Sequence, residues 1–405
     1  MNLPEDFTAY TREWMGEDLF ADFMKGMEAT APTSIRLNPF KCHSCTHITD
    51  EDDTEVVPWC PNTGRYLSER RNFTFDPLLH AGLYYVQEAS SMFIDLAIRK
   101  YVKQPVRMLD FCAAPGGKSL LARTALAAGS VMFSNEPMRN RANILAENVE
   151  KWGYADHFVT NNFPRDYRRA KMIADVVLCD VPCSGEGMFR KDEATIREWS
   201  MQNVEKCARL QREIVADAWS CLADGGLFIY STCTFNTHED EENIQWMMDE
   251  LGAEVLPVKV DAAWNITGSL LDGFSQPVYR FIPGISKGEG LFLCVLRKGG
   301  AWQQGHSLKS LRKSQQNLNI IYCPKAQPDM VKVEVNYQQA MAYLRHEAIT
   351  LGADVPRGMV GICFEGHLLG LAKNIGNRAN NLYPKEWKIR TTYIPNEYET
   401  ILRHT

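Results

Sequence analysis

Between Pro105 and Arg297, compact apolar runs alternate with longer amphipathic stretches, and this alternation constrains the fold more than any other feature of the 405 residues. Met-Leu-Asp-Phe-Cys (108–112), Val-Met-Phe-Ser-Asn (131–135), Asp-Val-Val-Leu-Cys-Asp (175–180) and Gly-Leu-Phe-Ile-Tyr-Ser (226–231) each read as a strand. A helix is expected from about Ser119, and a long helical stretch at 192–223 precedes the last strand. Strand–turn–helix units in series predict an α/β, Rossmann-like domain with a parallel, doubly wound sheet. Residues 1–75 read as a small leading module with a short strand at 33–38 and an acidic loop from Asp50 to Glu55. The stretch 84–97 reads as a helix. Residues 298–306 read as a linker, and 307–405 as a third unit of short strands and turns. The expected division is therefore 1–75, 76–298 and 307–405.

Net charge bears on partners. A total of −6 argues by itself against a nucleic-acid binder, but the charge is unevenly spread. Residues 300–405 carry 13 Lys and Arg against 8 Asp and Glu, while residues 1–299 carry 31 against 42. The stretch from Leu291 to Pro328 has no acid and includes Arg297, Lys298, Lys309, Arg312, Lys313 and Lys325. It reads equally as a solvated linker and as a basic patch facing phosphates. No run of 18 apolar residues is present, so no spanning helix is expected. The first residues have no basic, then apolar, leader pattern, so the cytoplasm is expected, with the twelve cysteines reduced. Cys42, Cys45, His47 and Cys60 include one C-x₂-C spacing. The second ligand pair of a zinc site is missing, so no metal is expected and the pair reads as exposed thiols prone to oxidation.

Asp-Phe-Cys-Ala-Ala-Pro-Gly-Gly-Lys-Ser (110–119) ends one strand and opens a helix. That places Gly116 and Gly117 at the carboxyl edge of the sheet, where open α/β folds bind ligands. Glycine lets a ligand approach the backbone, and a helix N-terminus favours negative charge. Gly-Lys-Ser (117–119) resembles the end of a P-loop, but the glycine required at position 112 is Cys112, and G-x-G-x-x-G is absent. A turn for a smaller nucleoside ligand remains. Glu136 closes the next strand, about twenty residues on, where a carboxylate suits a ribose diol; the alternative is a surface loop acid.

Two further strands end in cysteine-bearing turns, Asp-Val-Pro-Cys-Ser-Gly-Glu-Gly (180–187) and Ser-Thr-Cys-Thr-Phe (231–235). A lone cysteine after a strand is usually packing. Cys183 and Cys233, both in polar turns on the edge of the glycine turn, point to thiol chemistry at a ligand. C5 of cytosine is a substrate that needs it. C5 becomes nucleophilic when a thiolate adds to C6, with an acid such as Asp180 holding N3 protonated. A second thiol can then aid collapse of the adduct.

These motifs, with Asp-Pro-Leu-Leu-His-Ala-Gly-Leu-Tyr-Tyr-Val-Gln-Glu-Ala-Ser-Ser-Met (76–92), resemble the Nop/Sun family of RNA (cytosine-5)-methyltransferases, and most closely its bacterial 16S ribosomal RNA branch. Val181 stands where the family usually has Ala. The resemblance implies S-adenosyl-L-methionine as methyl donor. Cys112, Ala113, Ala114, Pro115, Gly116, Gly117 and Lys118 would form the donor loop, with Lys118 near the donor carboxylate or the active-site acid. Glu136 would take the ribose hydroxyls, Arg141 a basic cofactor contact, and Asp180 would line both cofactor and base. Cys233 would attack C6 and Cys183 would assist release. The family's acid near the adenine amine is replaced in Val-Thr-Asn-Asn-Phe-Pro (159–164); Asn162 is the best match and Asn161 the neighbouring alternative. The tail, through 343–348, 370–385 and 387–390, resembles a PUA-like RNA-binding module. Lys373, Arg378, Lys385 and Trp387 are candidate RNA contacts there, and Arg190 and Lys191 beside the Pro-Cys turn are candidates for the target strand's phosphates. The implied partner is RNA, foremost 16S rRNA or the small ribosomal subunit, with no membrane and a monomer as the default. A transfer-RNA substrate and a catalytically idle RNA-binding assembly factor are the competing readings.

Overall fold

The computed structural model describes residues 1–42, 47–48, 54–301, 330–391, 393–398 and 400–403. Its centre is an eight-stranded sheet. Strands Arg107–Asp110, Val131–Asn135, His157–Thr160, Ala174–Asp180 and Leu222–Thr232 run parallel. Leu291–Arg297 pairs antiparallel with Leu222–Thr232, and Glu254–Val255 and Tyr279–Phe281 pair antiparallel with it in turn. The sheet is thus mixed, a correction to the all-parallel expectation. The chain can add the antiparallel strands because the loops after 251 return along the edge without a crossover helix.

The strands alternate residue by residue between two cores. Met108, Met132, Val176, Leu178 and Ile229 face one, and Leu109, Phe133, Val177, Cys179 and Phe228 face the other. Helices cover both faces, which is why these strands read as unbroken apolar runs rather than as alternating ones. The chain order reverses at Arg107–Asp110, which has Val131–Asn135 on one side and Ala174–Asp180 on the other. The crevice at the carboxyl end of this switch point is where the cysteine-bearing turns also emerge.

The leading segment differs from the expectation in three ways. Glu5–Glu28 is helical, broken at Gly16, whose φ of 71° lies in the left-handed region. Its Phe7, Phe20, Phe23 and Met27 pack with Phe189, Trp199 and Phe235, so it is joined to the central domain beside the cysteine-bearing turns. Tyr84–Val86, expected within a helix, is instead a strand paired with Thr33–Leu37, and the helix begins at Phe93. Thr54–Val56 is likewise a strand, so the acidic run is not loop throughout. The 192–223 stretch divides into helices Glu193–Glu198 and Met201–Ser220, the second capped by Ser200, whose side chain accepts from Asn203 N.

The tail forms a four-stranded sheet, Val331–Glu334, Gly358–Phe364, His367–Asn374 and Ala379–Asn381, with helix Tyr337–Leu344. It shares one core with the leading segment: Ile35, Phe73, Phe75, Leu83 and Tyr84 pack with Met341, Ile362, Leu369 and Leu402. Asp76 fastens the junction, accepting from Leu78 N at 2.9 Å, Tyr84 Oη at 2.8 Å and Ile401 N at 3.1 Å. Lys309, Arg312, Lys313 and Lys325 of the basic stretch lie outside the described residues. Lys298 donates to the Leu222 carbonyl at 2.8 Å, so its ammonium closes a turn rather than facing phosphate. Cys60 is buried with its thiol 3.2 Å from Thr63 Oγ1, and Cys42 is half-buried against the Leu83 carbonyl; Cys45, the other member of the C-x₂-C pair, lies outside the described residues. No helix of the described residues is long and apolar enough to cross a membrane.

Candidate active site

The glycine turn is held by contacts within its own motif and by the strand and helix that follow it. Ala113 N donates to Asn135 O at 2.9 Å, which ties the turn to the neighbouring strand. Gly116 takes φ 122°, a conformation that requires glycine, and the helix Gly117–Ala125 starts immediately after it. Ser119 Oγ donates to Asp110 Oδ2 at 2.5 Å. Burial, followed by the nearby charge of Asp180, pushes the Asp110 carboxyl up to about 7. Burial also drives the Cys112 thiol well above its ordinary range, and its side chain packs against the core under the sheet edge.

The ribose-side candidates gather at the next two strand ends. Glu136 is buried; Oε1 accepts from Met138 N at 2.9 Å and Oε2 pairs with Arg141 at 3.2 Å. Arg141 also donates to the Ala114 carbonyl at 2.9 Å, so one guanidinium joins the donor loop to the carboxylate. Asn148 holds the Pro115 carbonyl at 2.8 Å. Asn161 spends its side-chain amide on the Glu136 and Pro137 carbonyls, whereas the exposed Asn162 is fixed through its backbone, which both donates to and accepts from Asn135.

Lys118, Asp180, Cys183 and Cys233 meet at one point. The parallel register sets Asp180 beside Ser231. Asp180 then accepts from Ser231 Oγ at 2.8 Å and from Lys118 Nζ at 2.7 Å. Burial alone would lower the Lys118 ammonium, but the Asp180 pairing outweighs it and holds the group above its ordinary value. The two sulfurs lie 3.2 Å apart. The contact with Cys233, followed by burial, holds the Cys183 thiol well above its ordinary range. Gly187 N donates to the Cys233 carbonyl at 2.7 Å, and a Cβ at Gly187 would stand 2.5 Å from that oxygen, so only glycine fits the approach.

Other expected contacts are placed differently. Arg190 donates to the carbonyls of Gly26 at 3.1 Å and Gly288 at 2.7 Å, binding the end of the first helix to a central-domain loop, and Lys191 pairs with Glu289. Arg190 is thus committed to two carbonyls, while Lys191 stays exposed beside Glu289; burial lowers the Arg190 guanidinium. Both line a cleft of about 1310 Å³ with Arg70, Gln87, Glu88 and Lys287. Its Gln87 side abuts Gly117. In the tail Lys373, Arg378 and Lys385 are exposed. Trp387 is half-buried, edge-on to Tyr383 at 5.9 Å with Lys151 Nζ 5.3 Å from its ring, so it packs the tail on the helix Arg139–Trp152 rather than offering a stacking face. Among the described residues no group of three or more His, Cys, Asp or Glu is placed to hold a metal.

Sequence reasoning missed Glu186 and Glu239. Both are buried beside the thiols, and Glu239 opens the run Glu239-Asp240-Glu241-Glu242 directly after the second cysteine turn. Four consecutive acids after a strand-end motif were the available signal. Asp240 and Glu241 are held by the buried Arg280, which also donates to the Phe235 carbonyl at 3.0 Å.

Three family models match in order along the chain: the N-terminal domain of 16S rRNA methyltransferase RsmF over residues 3–89, the 16S rRNA methyltransferase RsmB/F over 101–297, and the methyltransferase RsmF PUA domain over 331–389. Relatives named ribosomal RNA small subunit methyltransferase F include that of Cronobacter sakazakii, 32% identical over 314 residues, 73% of this chain and 63% of the relative. That of Photobacterium profundum is 30% identical over 314 residues, 74% of this chain and 64% of the relative. The match thus spans somewhat less than two thirds of those relatives' length. Among solved structures, a methyltransferase homolog from Pyrococcus horikoshii superposes with a TM-score of 0.61 at 25% identity, covering 73% of this chain and 95% of that one. NSun6 from Pyrococcus horikoshii, crystallised with SFG, superposes with a TM-score of 0.61 at 18% identity, covering 74% and 99%, and shows the shared fold. With a leading module, a Rossmann-like catalytic-type domain and a PUA domain matched in sequence order, the chain belongs to the RsmB/F family of 16S rRNA methyltransferases.

Proposed function

We propose that this protein methylates C5 of a cytidine in 16S rRNA, using S-adenosyl-L-methionine and a covalent link between Cys233 and C6. The observation that carries the reading is the 3.2 Å pair Cys183–Cys233 beside the Lys118–Asp180 ion pair. The residues at the neighbouring turn fit the donor. Gly116 and Gly117 let Leu145 and Tyr85 close on the turn where a Cβ would stand 3.3 Å and 3.2 Å from them, Glu136 presents a buried carboxylate behind Arg141, and Met138 and Phe163, just beyond two neighbouring strand ends, expose apolar side chains. A purine would cover those two side chains, and a ribose diol would share Glu136 with Arg141.

The chain's own groups divide the chemistry. The Cys233 thiolate adds to C6 and forms the S–C6 bond, which moves electron density to C5. Asp180, anchored by Lys118 and Ser231, passes to the cytosine N3 the proton that Cys233 gives up on becoming a thiolate, and takes it back as the product forms. S-adenosylmethionine, held at the glycine turn, would supply the methyl group to C5, its methyl–sulfonium bond breaking to leave a neutral thioether. As the S–C6 bond breaks, Cys183 gives its proton to the departing Cys233 sulfur, and the Cys183 thiolate so formed takes the C5 proton, whose bonding electrons restore the C5–C6 double bond. The target base must leave its stack to reach both thiols, at a cost of a few kcal/mol. The exposed Lys373, Arg378 and Lys385 of the tail supply phosphate contacts that offset it.

Transfer of labelled methyl to small-subunit particles, naked 16S RNA and bulk transfer RNA, run in parallel, tests the function. Label in a ribosomal fraction, recovered as 5-methylcytidine, is expected. Label only in transfer RNA keeps the mechanism and replaces the substrate. Donor binding without transfer to any of them contradicts the enzyme reading and favours an RNA-binding assembly factor.

A further inference from the structure

The two cysteine-bearing turns are linked by a reciprocal pair of buried carboxylates. Glu186 belongs to the Cys183 turn and is 1% exposed, yet its partners lie on or beside the other turn: it accepts from Phe235 N at 2.6 Å and Asn236 Nδ2 at 2.9 Å, with Trp199 Nε1 at 3.0 Å. Glu239 follows the Cys233 turn, is fully buried, and reaches back to the first: it accepts from Ser184 N at 2.9 Å and from Gln211 Nε2 at 2.7 Å. Gln211 in turn donates to the Pro182 carbonyl at 2.9 Å. The Asn236 amide nitrogen donates to both carboxylates, each at 2.9 Å, and so joins the two halves. The anchored backbone atoms adjoin the thiols: Ser184 N follows Cys183, and Phe235 N is two residues beyond Cys233.

From this geometry we infer that Glu186 and Glu239 are positioning residues, a crossed clamp that fixes the distance and mutual aim of the Cys183 and Cys233 sulfurs. Neither carboxylate is placed to touch the base. Two adjacent buried carboxylates are a poor way to gain stability, because desolvation and mutual repulsion oppose them. Burial and the Glu186 charge raise the Glu239 carboxyl to about 7, which is that cost made visible. The arrangement is understandable where a turn must be held from a distant segment with charge-assisted bonds, which are shorter and stronger than neutral ones. Glutamine at either position turns an acceptor toward one donor and a new donor toward another.

The inference rests on the proposed roles of the two thiols, and its test keeps the two apart. Glu186→Gln and Glu239→Gln, singly and together in the full chain, would be measured for donor binding by calorimetry, for methyl transfer, and for bridging of the two thiols by phenylarsine oxide, which requires sulfurs held close. Cys183→Ala identifies the bridged site. Each single variant is expected to lose about 100-fold in turnover, the scale of a misplacement of roughly 1 Å. Donor affinity should stay within about twofold, while arsenical bridging weakens by about tenfold or more, and the double variant should be little worse than either single one because they break one device. Folded variants that bridge the arsenical and turn over as wild type does would overturn the clamp. Where a glutamine variant does not fold, Asn236→Ala removes only the amide shared by both carboxylates; weakened bridging supports the clamp and unchanged bridging overturns it. Carboxylate-dependent bridging in a wild type that methylates no RNA would support the clamp while refuting the proposed function.

Discussion

The glycine turn at 110–119 and the pair of cysteine-bearing turns share one sheet edge but are secured by different means. Ser119 bonds Asp110 nine residues away, and the helix cap follows directly in the chain. The thiol turns are secured across 50 residues or more, by Cys183 with Cys233, Ser184 with Glu239 and Asp180 with Ser231. The glycine turn takes its shape from one short motif and is braced by the strand and helix that follow it, through Asn135, Arg141 and Asn148. A pair of thiols acting on one base needs two strand ends held in register, which local sequence cannot provide. Damage to the glycine turn should therefore appear in donor affinity, and damage to the thiol turns in the chemical step.

The largest expected effect is at Cys233. Cys233→Ala should lower methyl transfer on the order of 10⁴-fold, the scale of losing a covalent nucleophile, with donor affinity unchanged by calorimetry. Asp180→Asn should cost roughly 10²- to 10³-fold in single-turnover rate, since it breaks the Lys118 ion pair and the contact to the ring. Ser119→Ala sharpens the comparison from the other side. It should weaken donor binding about tenfold, the value of one hydrogen bond to a buried carboxyl group, and leave the chemical step within about twofold. A result with the two effects exchanged would show that the two turns are not separately built.

The smallest effect is a pH dependence. Asp110 has its pKa raised to about 7 by burial, so the folded state favours the neutral carboxyl. Its contribution to stability is full below its ordinary pKa and is lost as pH rises through about 7. Asp110→Asn cannot titrate. The melting temperature of the variant minus that of the wild type, both without donor, should therefore rise between pH 5 and pH 8. A flat difference would show that Asp110 is charged throughout.

What could be read in the sequence follows the same division. Strands 131–135 and 175–180 are legible because both faces are buried and each has an unbroken apolar stretch, 131–133 and 176–179, and the glycine turn because its glycines and helix start lie in one short motif. Tyr84–Val86 was not, because its strand character comes from pairing with Thr33–Leu37, some fifty residues earlier. Arg190 was read as a phosphate contact from its charge beside the Pro-Cys motif, but its carbonyl partners arrive from Gly26 and Gly288. Glu186 and Glu239 were passed over because an acid in a turn reads as solvated, and only the fold brings them amide donors from the opposite loop. Trp387 was read as a stacking surface and became a domain contact through Lys151 and Tyr383.

The division of labour between the two thiols is tested most directly by incubating Cys183→Ala with substrate RNA and S-adenosylmethionine and analysing the product under denaturing conditions. The account predicts a stable protein–RNA adduct whose linked peptide contains Cys233, absent when Cys233 is also replaced. No adduct, or one mapped to another residue while Cys233→Ala retains turnover, would contradict it.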